Sequence, residues 1–134
     1  METKTFSDHI RDYRGGVFAN PYQGTDKKVV FVCSMGILRS ATAARIYAHK
    51  YNTRSAGTWN DALVQLSDNL MIWADELVFV NRHNYEQVVR HLEDDDEPLL
   101  DVVKRKSKVL DIPDSYEHMH PELIKAFEEQ YEPV

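Results

Sequence analysis

Val29-Val30-Phe31-Val32-Cys33-Ser34-Met35-Gly36-Ile37-Leu38-Arg39-Ser40 is the stretch that decides how the rest of the chain is placed. Five apolar or near-apolar residues read as a buried strand ending at Cys33. Ala41-Thr42-Ala43-Ala44-Arg45-Ile46-Tyr47-Ala48 then reads as a helix. Between them lies a short loop with one glycine. A strand, a tight loop and a helix start in that order suit an anion: successive backbone N–H groups turn inward, and the helix presents its positive end to the same point. A thiol at the strand end, facing those donors and the fixed charge of Arg39, is expected to react as a thiolate. Cys33 is therefore a candidate nucleophile aimed at phosphorus. The bland alternative makes Cys33 a small buried apolar residue and Arg39 a salt bridge at a helix start.

Outward from this stretch, strands and helices alternate. Thr53 to Thr58 reads as a second strand, Glu76 to Val80 as a third and Lys108 to Leu110 as a fourth. The helix after Arg39 is expected to run to about Tyr51. A second helix is expected from Trp59-Asn60-Asp61 to about Trp73, capped by Asn60 or Asp61, with Leu63, Leu66, Leu70 and Trp73 on its core face. A third helix carries Tyr85, Val88, Val89 and Leu92, a fourth covers Leu99 to Lys106, and a last runs from Pro121 to Tyr131 with Leu123, Ile124 and Phe127 inward. The alternation predicts an α/β fold: four parallel strands with helices on both faces, the anion loop following the first strand. Residues 29–134 form that domain. Residues 1–28 are expected as an N-terminal helix, with Phe6, Ile10 and Tyr13 on one face, and a turn-rich loop that packs on the sheet or shapes a pocket wall.

At 134 residues, with 43% hydrophobic and 28% charged residues, the chain suits a single globular domain. The formal net charge of -6 argues against a nucleic-acid partner. No apolar run approaches the ~20 residues that cross a bilayer, and the polar N-terminus does not read as a signal peptide. A single cysteine excludes an internal disulfide and fits a reducing cytoplasm. The acidic run Glu93 to Glu97 lacks the spaced ligands of a calcium loop and reads as a solvated helix junction. His118 and His120, near Asp114, form a His-x-His pair, too few ligands for a metal site and more simply read as surface residues.

The Cys33 and Arg39 spacing, with five residues between and Ser40 after, resembles the phosphate-binding loop of the low-molecular-weight protein tyrosine phosphatases. Three further segments agree in order: Ser55-Ala56-Gly57-Thr58 after the first helix, Ala74-Asp75 leading the third strand, and Asp111-Ile112-Pro113-Asp114-Ser115-Tyr116, similar to the family's acid-bearing segment. Met35, Gly36 and Leu38 stand where that family usually has Gly, Asn and a second Cys, and Ser115 and Glu117 replace a Pro and a Tyr. Gly36 can supply the positive φ that Asn tolerates, but the Asn side-chain hydrogen bond is lost.

The resemblance implies a metal- and cofactor-independent phosphomonoester hydrolase. Cys33 attacks phosphorus. The backbone of Ser34, Met35, Gly36, Ile37, Leu38, Arg39 and Ser40, with the Arg39 guanidinium, holds the phosphoryl oxygens. Ser40 bonds the sulfur, and Asp114 is the general acid and then base. Tyr116 and Trp59 are expected as pocket walls, Trp59 having the alternative of a half-buried core aromatic. The implied partner is a phosphorylated protein or a small phosphate ester, with no nucleic acid and no membrane. Two other readings stay open: a phosphocysteine carrier, suggested by Cys33-Ser34-Met35-Gly36, and a phosphate-binding module without catalysis. Thioredoxin-linked arsenate reduction is excluded because it needs further thiols.

Overall fold

β1 (Lys28–Cys33), β2 (Asn52–Gly57), β3 (Glu76–Phe79) and β4 (Ser107–Val109) form one sheet in the order β2-β1-β3-β4. Every pairing is parallel, with Cys33 opposite Gly57, Val32 opposite Phe79, and Phe79 opposite Val109. This computed structural model describes residues 27–134. The expectations for residues 1–26 lie outside the described residues; Lys28 already belongs to β1.

Side chains alternate across the sheet because the strand repeat is two residues. Val29, Phe31 and Cys33 face α1 (Arg39–Ile46) and α5 (Pro121–Gln130). Val30 and Val32 face α2 (Asp68–Trp73), α3 (Arg82–Asp95) and α4 (Glu97–Lys106). Helices therefore cover both faces, and β1, buried on both, reads as an unbroken apolar run. Phe31 centres the first face: Tyr47 stacks on it at 5.7 Å, and Phe127 and Tyr131 meet it edge-on at 6.4 and 5.6 Å. Ala41, Ala43 and Ala44 let α1 approach the sheet closely.

Glu76 is a buried carboxylate, and it is compensated from three sides. Lys27 and Lys108 lie 3.3 and 3.4 Å away, and the Tyr131 hydroxyl donates to it at 2.5 Å. Burial and the neighbouring Glu76 push the Tyr131 hydroxyl well above the ordinary tyrosine range. Among the described residues no helix is long and apolar enough to cross a membrane.

Two expected helices are shorter. α1 ends at Ile46, and the chain turns through 47–50 instead of continuing to Tyr51. The helix expected from Trp59 begins only at Asp68, capped by Ser67, whose hydroxyl accepts the Leu70 N–H at 3.2 Å. Neither Asn60 nor Asp61 caps it. The Gly57 N–H donates to the Val64 carbonyl and the Leu66 N–H to the Gly57 carbonyl, both at 2.8 Å, so residues 64–66 run beside the end of β2. This pairing leaves Leu63 exposed, while Leu66, Leu70 and Trp73 still pack on the second face. The six-residue α2 is closed by Lys106, whose ammonium donates to the carbonyls of Met71 and Ala74 at 2.9 and 2.6 Å.

The chain leaves β1 toward β2 on one side and enters β3 on the other. The carboxyl ends of β1 and β3 therefore flank the crevice where open parallel sheets accept ligands. The loop 34–38 sits there.

Candidate active site

Cys33 ends β1 with 3% exposure, and its sulfur meets two groups. The Gly36 N–H donates to Sγ at 3.1 Å, and the Ser40 Oγ lies 3.0 Å from it. A loop that curls back on the sulfur in three residues needs a reversed backbone, and Gly36 provides it with φ 76°. A side chain there would also meet the Ala56 and Gly57 backbone at 2.9 Å. Among the described residues no side chain caps the start of α1; Leu38 occupies that position, 39% exposed, which leaves the first N–H groups of the helix available to an anion.

The segment after β2 forms the other wall of the loop. The Thr58 N–H donates to the Cys33 carbonyl at 2.9 Å and the Trp59 N–H to the Ser34 carbonyl at 3.0 Å. Gly57 makes this approach feasible, since a Cβ there would lie 2.5 Å from the Ser34 oxygen. Ser34 is further held from α3. Asn84, 1% exposed, donates from Nδ2 to Ser34 Oγ at 3.2 Å and to Thr58 Oγ1 at 3.1 Å, and Thr58 donates to Gln87 Oε1 at 2.7 Å. The loop carries no Asn of its own, and a carboxamide from α3 ties down its first residue. Asn84→Ala strips two half-buried hydroxyls of the donor that Asn84 supplies, so we expect it to cost about 1–3 kcal/mol. The urea midpoint measures this.

Arg39 is 6% exposed and reaches the segment that follows β4. Its Nη1 donates to the Ile112 carbonyl at 3.1 Å, and its Nε lies 3.7 Å from Asp114 Oδ1. Among the described residues Nη2 has no partner, so one amino group of the guanidinium fork remains for a ligand oxygen. Gly36 and Ser40 thus meet the Cys33 sulfur, and Arg39, beside Ser40 in the chain, meets Ile112 and Asp114. Ser34, Met35 and Ile37 are half-buried along the loop. Trp59, 48% exposed, leaves the β2 edge, and Tyr116 follows the β4 edge with its ring stacked on His120 at 5.2 Å.

The two histidines of the His-x-His pair go separate ways. His120 Nδ1 accepts the Glu122 N–H at 3.1 Å and so caps α5. His118 is half-buried, contrary to the surface position expected for it; its Nδ1 lies 3.3 Å from Thr42 Oγ1. Burial lowers its affinity for a proton, a bond to the Leu38 carbonyl acts the opposite way, and the charge of Arg45 lowers it further. Among the described residues no three His, Cys, Asp or Glu side chains cluster as metal ligands.

Sequence reasoning missed Asn84 and the Thr42–His118 contact. Asn84 carried a signal: with Val88 and Leu92 it falls at four-residue spacing on the buried stripe of α3, where a lone polar side chain implies a buried partner. Thr42, among the alanines of α1, carried none. No family model, curated protein or solved structure matches the chain.

Proposed function

We propose that the chain is a cysteine-dependent phosphomonoester hydrolase resembling the low-molecular-weight protein tyrosine phosphatases, acting on a phosphorylated protein or a small phosphate ester. One observation carries this reading. The Cys33 sulfur sits in a closed loop with the Gly36 N–H and Ser40 hydroxyl on it, next to a buried Arg39 that faces Asp114.

In this reading Cys33 attacks phosphorus in line as the bond to the ester oxygen breaks. The loop N–H groups and the Arg39 fork stabilise the charge spread over the three equatorial oxygens. Asp114 gives its proton to the departing oxygen. It then takes one from the water that attacks the phosphocysteine, releasing phosphate and the Cys33 thiolate. Ser40 donates to the sulfur as it leaves, which stabilises the thiolate. Leu38 and Trp59 are exposed and Tyr116 is half-buried; in this reading they form an apolar rim that suits an aryl ester.

The test mixes the protein with tyrosine phosphate and follows both products. Release of many equivalents of phosphate, through a phosphocysteine that decays within seconds, is expected. A phosphocysteine stable enough to isolate would assign a carrier instead, and phosphate binding with no covalent adduct a non-catalytic module.

A further inference from the structure

Asp114 is the most loosely held member of the site: its side chain is 72% exposed, and its contact with Arg39 is 3.7 Å long. Its position depends on the flanking chain. On one side Ile112, fully buried, donates its N–H to the Val80 carbonyl at 2.9 Å and accepts from Arg39. On the other side the chain returns to the start of α1, where His118 meets the Leu38 carbonyl and the Thr42 hydroxyl meets two groups. Thr42 Oγ1 accepts the Met119 N–H at 2.8 Å and lies 3.3 Å from His118 Nδ1.

Thr42 is fully buried in the first turn of α1, three residues after Arg39. The helix therefore fixes the spacing between its hydroxyl and the guanidinium. Met119 has φ 62°, a left-handed conformation that a non-glycine residue keeps only where its surroundings hold it. The imidazole, disfavoured as a cation by its burial, can accept the Thr42 proton while the same oxygen accepts from Met119.

We propose that Thr42 is a positioning residue: its hydroxyl latches residues 113–119 to the first turn of α1, so that Asp114 stands over the loop between Cys33 and Arg39. The proposal rests on the hydrolase reading above, because the latch matters only if Asp114 transfers a proton.

Thr42→Val keeps the side-chain shape and removes the hydroxyl; Thr42→Ser keeps the hydroxyl. Two readouts separate the latch from the reaction. In hydrogen–deuterium exchange, Thr42→Val should speed exchange of the Met119 amide about tenfold, as loss of one hydrogen bond allows, while Thr42→Ser stays near wild type. In turnover, Thr42→Val should lower kcat on tyrosine phosphate about tenfold more than on 4-nitrophenyl phosphate, whose leaving group needs no proton. Inhibition by inorganic phosphate should be unchanged. Unaltered exchange overturns the latch whatever the activity. Faster exchange with equal loss on both esters makes Thr42 structural only and also overturns it. A wild-type protein that hydrolyses neither ester overturns the hydrolase reading, and the catalytic role of the latch falls with it even where the exchange result stands.

Discussion

Cys33→Ser is expected to abolish hydrolysis of tyrosine phosphate while phosphate and vanadate still bind. The sulfur lies 3.1 Å from the Gly36 N–H and 3.0 Å from Ser40 Oγ, so the donors around it belong to the loop and not to the cysteine. Serine fits the same space, but among the described residues no base touches that position: its contacts are the Gly36 N–H and the Ser40 hydroxyl, and Asp114 meets Arg39. Removal of an activated nucleophile costs at least about 10⁴-fold in turnover. Anion affinity should hold or improve, because a neutral oxygen replaces a sulfur that repels an anion when ionised. Phosphate release and calorimetric titration measure the two effects. Residual turnover near the wild-type rate removes Cys33 from the mechanism. Loss of turnover and anion binding together would mean that the loop needs the sulfur to hold its shape.

The local parts of this site were legible in the sequence and the long-range parts were not. Cys33, Gly36, Arg39 and Ser40 lie within eight consecutive residues, and a strand followed by a glycine loop and a helix start leaves the backbone few ways to connect them. The four parallel strands were legible for a similar reason: apolar runs bounded by turns alternate with helical periods, and parallel strands need such crossovers. Asn84 reaches Ser34 across 50 residues and Thr42 reaches His118 across 76, and no local pattern encodes which distant hydroxyl a buried amide or imidazole will find.

The false helix from Trp59 has a definite cause. Leu63, Leu66, Leu70 and Trp73 satisfy a helical period, yet Gly57 pairs with Val64 and Leu66 and keeps the first half of that stretch out of the helix. Tertiary pairing overrode a correct local period. The signal that would have placed the boundary was Ser67, a good cap three residues before Leu70. Of the two residues that hold the loop from this side, Thr58 ends the expected second strand and only Trp59 belongs to the misplaced helix.

Asp114→Ala is expected to depress turnover of tyrosine phosphate by ~10²–10⁴-fold and that of 4-nitrophenyl phosphate far less. The difference follows from the leaving oxygen. A nitrophenolate departs as an anion, whereas a tyrosine oxygen needs the proton that Asp114 is placed to give, so the carboxyl contributes only where the leaving group is poor. The geometry permits this assignment because Asp114 faces the Arg39 Nε at 3.7 Å from a segment whose Ile112 is pinned to the same guanidinium. Asp111 serves as the control: its backbone N–H and carbonyl are both held by the Gln130 side chain, at 2.6 and 2.8 Å, which places it against α5. Asp111→Ala should therefore change both esters alike and by little. The comparison requires phosphoryl transfer to Cys33 to limit the rate, and a burst of phenol release shows when hydrolysis of the phosphocysteine limits it instead; single-turnover rates then replace kcat. Equal losses on both esters for Asp114→Ala would make that residue structural. A leaving-group dependence found in Asp111→Ala instead would move the proton donor three residues back along the segment.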